Sequence, residues 1–103
     1  VLMLRSLERG AAGCISATNN INARDIALAY GSPEQAARLG DRITAVRKTA
    51  EQFPMVAAVK HTLSLLTGDD GWRHVRAPLV PLDADTAAQV ETRMRAALPA
   101  LQA

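Results

Sequence analysis

The stretch Ala11-Ala12-Gly13-Cys14-Ile15-Ser16-Ala17-Thr18 constrains this chain more than any other part of it. It is short, apolar and bounded by polar residues, the pattern of a strand buried on both faces, as in parallel sheets. A buried strand must pair its backbone N–H and C=O groups, and each one left unpaired costs roughly 1–3 kcal/mol. No second segment reads as a convincing strand, so the partners of residues 12–17 are expected in sequence outside these 103 residues. The first residue is Val1 rather than Met, which fits that expectation.

The remainder reads as helices. Leu2 to Arg9 is the end of one, with Leu4 and Leu7 on one side and Gly10 at the usual C-cap position. Asn22 is expected to cap a second helix running through Tyr30, with Asp25 at its third position answering exposed amides. Ser32-Pro33-Glu34-Gln35 is the clearest start signal: a capping Ser, Pro at the first helical position, Gln three residues on. The helix it opens carries Ala36, Leu39, Ile43, Val46, Ala50 and Phe53 at 3-4-3-4-3 spacing, with charged residues on the other sides. Pro54 closes it and opens the next, in which Val56, Val59, Leu63 and Leu66 are expected to face inward. Gly68-Asp69-Asp70-Gly71 is a turn, and the two prolines of residues 76–82 forbid regular helix there. Asp83 then caps a last helix with Val90, Met94, Ala97 and Leu98 inward.

Composition sets outer limits. A chain of 103 residues is one small domain at most. With three aromatic residues and abundant alanine, the core must be aliphatic, and close helix packing suits it. A net charge of +2 is too small to argue for a nucleic-acid partner. A single cysteine, Cys14, excludes an internal disulfide and fits a reducing, cytoplasmic compartment. No apolar run approaches about 18 residues, so no membrane span is expected.

The segment Gly13-Cys14-Ile15-Ser16-Ala17-Thr18-Asn19-Asn20-Ile21 is similar to the last barrel strand of the dihydrodipicolinate synthase and N-acetylneuraminate lyase family, which commonly reads Gly-Val-Ile-Ser-Val-Thr-Ala-Asn-Val. The similarity continues through Ala23-Arg24-Asp25-Ile26, resumes at Val59-Lys60, and returns at Val75-Arg76-Ala77-Pro78-Leu79-Val80-Pro81-Leu82. It covers nearly the whole chain in the family's order. The resemblance implies an α/β fold, the C-terminal fragment of a (β/α)8 TIM barrel with a C-terminal helical extension, mostly helical on its own. Residues 1–31 would be the end of the barrel (seventh helix, eighth strand, eighth helix) and residues 32–103 the extension.

The family condenses or cleaves 2-oxo acids through a Schiff base between pyruvate and a lysine on the sixth strand, helped by a tyrosine on the fifth. Both would precede Val1, so the resemblance places no catalytic residue in this chain and implies no cofactor and no metal. It implies that Ile15 lines the floor of the pyruvate pocket, that Gly13 and Ser16 allow close approach of the ligand, and that Asn20 stands at the active-site end of the strand. Asn19 departs from the common Ala, and the link between Tyr30 and Ser32 is about a helical turn shorter than in familiar members. The first could alter the pocket rim and the second the subunit contacts. The implied partners are a small 2-oxo acid and further copies in a homo-oligomer, with no nucleic acid and no membrane.

Other candidate groups have plainer readings. Lys60, in an apolar context, could be a desolvated nucleophile, but a lysine packing its stem and snorkelling is the expectation. His61 and His74 are expected at the surface or at helix caps, and Cys14 packed and inert in the strand. Arg73, His74 and Arg76 beside Trp72 form a basic cluster, expected as a solvated loop whose Trp72 covers the helices. Ser16 has no Gly-x-Ser-x-Gly frame. The alternative function is a stand-alone helical interaction module that binds nucleic acid through the basic faces of the Ala36–Phe53 helix.

Overall fold

The computed structural model describes residues 3–102. Five α-helices account for most of them: α1 (Met3–Glu8), α2 (Asn19–Gly31), α3 (Pro33–Ala50), α4 (Met55–Thr67) and α5 (Ala84–Ala97). Short 3-10 turns occupy Asp70–Arg73 and Pro99–Leu101. The extents are 40 × 32 × 21 Å. The shortest is about two helix diameters, so the helices lie in two layers. The radius of gyration of 14.2 Å exceeds the roughly 13 Å of a close-packed chain this long.

The boundaries follow local chemistry. The Ser32 hydroxyl accepts from the Gln35 amide at 3.4 Å, and Pro33 opens α3 without losing a hydrogen bond it could have made. The Asp83 carboxylate accepts from the Thr86 amide at 2.7 Å, which starts α5 and holds the Asp83 pKa below the usual range. Gly10 (φ 91°) and Gly68 (φ 72°) take the left-handed conformation after α1 and α4, where a side chain would clash with its own backbone.

Packing divides into two clusters that share α3. Val46 and Ala50 of α3 meet Ala58 and Val59 of α4 and Val90 and Met94 of α5 in the larger one. Leu39 and Ile43, two turns and one turn earlier, meet Met3 of α1 and Ala29 of α2 in the smaller. The 3-4 stripe of α3 is thus inward as expected, and so are Val90, Met94 and Leu98. Asp25 and Arg42 clamp α2 to α3 through two bonds of 2.6 and 2.7 Å, which raises the Arg42 pKa.

Four expectations need correction. The described residues contain no strand, so the α/β barrel architecture is not formed here: residues 11–16 have no regular structure and are mostly exposed. The physical reason is absence of a partner, because a lone strand has nothing to accept its N–H groups. Asn22 does stand where the main run of α2 begins, since its φ of −136° and ψ of 31° part a first turn opening at Asn19 from the helix that continues to Gly31. Its side-chain oxygen caps nothing, however, and Asp25 serves the ion pair with Arg42. On α4, Val59 is buried and Leu63 and Leu66 pack against the core as expected, but Val56 is 45% exposed and the most buried face also takes in Ala57, Ala58, His61 and Thr62. Small residues there permit close approach to α5, and the Thr62 hydroxyl satisfies itself on the Ala58 carbonyl at 2.9 Å. Finally, Cys14 is an exposed free thiol, since the strand that would have packed it is absent.

Candidate functional site

The residues singled out by sequence lie in and after the loop between α1 and α2. Two contacts hold this loop against α2 and at its far end. The Tyr30 hydroxyl donates to the Ala12 carbonyl at 2.9 Å, and the Asn20 amide donates to the Ala17 carbonyl at 2.9 Å. Between them the backbone is open to solvent. Among the described residues, no backbone N–H from Ala12 through Thr18 donates to another protein group.

Ile15 stands at the crest with its side chain fully in water, at 104% relative exposure. Gly13 is exposed and Asn20 faces solvent beside the start of α2. Ser16 is half-buried and turns toward α3: its hydroxyl lies 3.0 Å from that of Thr18 and accepts from Arg47 Nη1 at 3.2 Å. The structure therefore brings Ser16 into a polar cluster but leaves Gly13, Ile15 and Asn20 outside it.

That cluster lines a half-open groove of about 260 Å³ with Cys14, Thr18, Asn19, Arg47 and Glu51. Arg47 Nε donates to Glu51 Oε1 at 2.6 Å, one turn along α3, and this pair aims the guanidinium at Ser16. Asn19 Oδ1 is buried without a hydrogen-bond partner. Such an atom costs roughly 1–3 kcal/mol unless a donor reaches it. Sequence reasoning missed Thr18, Asn19, Arg47 and Glu51 as a group. Arg47 and Glu51 read as the wet side of α3, and only their i, i+4 spacing hinted at a mutual contact.

Chemically, the groove can hold a polar group but holds no nucleophile with a base beside it. Among the described residues, no three His, Cys, Asp or Glu side chains cluster as a metal site would require. The Lys60 ammonium is committed to the His74 carbonyl, in keeping with a snorkelling lysine rather than a nucleophile. On the basic face of α3, Arg42 and Arg47 are both held in ion pairs. Among the described residues, no helix is long and apolar enough to cross a membrane.

His61 departs from its expected surface place. It is only 7% exposed, packed on the inner side of α4 with Ala57, Ala58 and Thr62. Desolvation lowers its pKa, with the Arg73 charge adding to the effect. The folded state thus binds the proton less well than the unfolded chain. Stability from this group is complete above about pH 6.5 and is lost as pH falls through the depressed folded value. Urea midpoints measured between about pH 8 and pH 5 should fall with acidification, and His61→Gln should remove that part of the slope. A slope unchanged in the variant would remove His61 as its source.

The match to known proteins rests on sequence. The model of the dihydrodipicolinate synthetase family matches residues 1–97. No curated protein and no solved structure matches the chain. The family match runs continuously through the loop, the groove and all five helices, and on that ground the chain belongs to the dihydrodipicolinate synthetase family.

Proposed function

We propose that these residues are the C-terminal part of a Schiff-base-forming lyase or aldolase that acts on pyruvate or a related 2-oxo acid, and are not catalytic alone. The observation that carries this reading is the loop of residues 12–18. Its sequence is that of a doubly buried strand, yet its N–H groups are unpaired and Ile15 is bare. Those donors and that side chain have a purpose if the segment is the eighth strand of a (β/α)8 barrel, flanked by strands that carry the catalytic lysine and tyrosine. Family membership supports the same assignment.

In that setting residues 1–31 close the barrel and residues 32–103 form the helical extension. Ile15 then forms part of the pocket floor, Gly13 and Ser16 leave room for the 2-oxo acid, and Asn20 stands at the rim where barrel active sites open. Further copies of the chain complete a homo-oligomer. The lysine supplies the nucleophile for the carbonyl carbon of pyruvate, and this chain supplies shape and hydrogen-bonding walls.

Borohydride reduction of the full-length gene product in the presence of pyruvate tests the proposal. The expected result is one covalent adduct on a lysine outside residues 1–103, with Lys48 and Lys60 unlabelled. An adduct on Lys60, or a full-length product that traps no pyruvate at all, would overturn it.

A further inference from the structure

A second concave site lies wholly within the helical region, between α4, the Asp70–Arg73 turn and the start of α5. Its volume is about 300 Å³. Ala57, Pro81, Leu82 and Ala87 make its walls apolar, and the polar side chains that line it are His61 and Arg73. His61 is more than nine-tenths buried, and its Nε2 has no hydrogen-bond partner.

Arg73 is held in place rather than waving in solvent. Its Nε donates to the Ser64 hydroxyl at 3.3 Å and its Nη2 lies 3.2 Å from Asp70 Oδ1. Neither bond uses Nη1. Ser64 itself donates to the His61 backbone carbonyl at 2.7 Å, so the Arg73 guanidinium is tied to the α4 backbone at the residue that carries the imidazole. Ala84 and Ala87, also in the lining, stand at the start of the 14-residue α5, whose exposed amides are capped by the Asp83 carboxylate. The carboxylates near His61 are already engaged, Asp70 with Arg73 and Glu91 with Arg95, while Asp83 caps Thr86.

We propose that this pocket binds a short-chain monocarboxylate, with the carboxylate between Arg73 and His61 and the alkyl tail against Ala57, Leu82 and Ala87. The one guanidinium in the lining suits a single negative charge. The apolar walls favour a ligand with a tail over a bare inorganic anion. Neutral His61 donates from Nε2, which meets the unpartnered buried nitrogen with an acceptor. Bound water alone would satisfy that nitrogen without using Arg73 or the apolar walls.

The test is a titration of the 103-residue protein followed by the His61 imidazole and Arg73 side-chain NMR signals. Three probes separate the sources of affinity: butyrate, butanol (the same tail without the charge) and inorganic phosphate (charge without a tail). Butyrate is expected to give saturable shifts at both residues and to raise the His61 titration midpoint. Butanol and phosphate are expected to bind at least about tenfold more weakly. Arg73→Gln should weaken butyrate by about tenfold or more with the amide spectrum otherwise preserved. Ala87→Leu, which fills the apolar end and leaves Arg73 intact, should abolish binding independently. Silence at His61 toward butyrate, equal binding by Arg73→Gln, or phosphate binding tighter than butyrate would each overturn the proposal.

Discussion

Met94→Ala is expected to destabilise the fold by about 2–5 kcal/mol, the range for emptying a fully buried long side chain. Met94 has no solvent exposure and lies in the larger cluster with Val46, Ala50, Ala58, Val59 and Val90. It comes from α5, the last long helix, and so ties the end of the chain to the middle of α3. The same cluster holds the longer side chains of Ile21, Leu98 and Leu101, and how far they close into the void sets where in that range the loss falls. Against a total stability of about 5–15 kcal/mol for a domain, one such loss is a large share. Urea unfolding at neutral pH reads the effect as a lower midpoint with an unchanged slope. A midpoint shift worth less than about 1 kcal/mol would mean that α5 is not packed as described.

The second large effect concerns Ile15, and its size depends on what surrounds the loop. In the 103-residue chain the side chain is wholly exposed, so Ile15→Asp is expected to change stability by no more than about 0.5 kcal/mol. In the full-length enzyme, where the proposed strand puts the same position against the substrate pocket, the carboxylate would be buried without a partner. There it should either prevent folding or lower kcat/KM for the 2-oxo acid by about a hundredfold or more. Ile15→Val is the control, keeping shape and polarity and most of the activity. Full activity in the Asp variant would remove residues 12–18 from the barrel interior and with them the assigned pocket floor.

Helix starts and stops were legible because they depend on a few adjacent residues. Ser32-Pro33 and Asp83 each act within one turn, and Gly68 ends α4 by a conformation that glycine adopts freely. The stripe on α3 was legible for the same kind of reason, since spacing alone decides which side chains share a helix face. The face of α4 was legible only in part. Periodicity picked out Val59, Leu63 and Leu66, which do meet the core, but not Ala57, Ala58, His61 and Thr62, which only closeness to α5 makes useful. The Ser16–Arg47 contact spans 31 residues and depends on how α3 lies beside the loop, so no local pattern could announce it.

By itself the sequence determined the helical segments, their caps, most of the core and the family. Each of these is written in neighbouring residues or in an ordered set of short motifs. Tertiary structure alone decided that residues 11–15 stay open, that His61 goes inside, and that Arg47 and Arg73 each become donors to a serine hydroxyl. A strand is the one element that cannot close its own hydrogen bonds, so its state is set by what lies beside it. A helix closes its own, and can therefore be read from the chain before any neighbour is known.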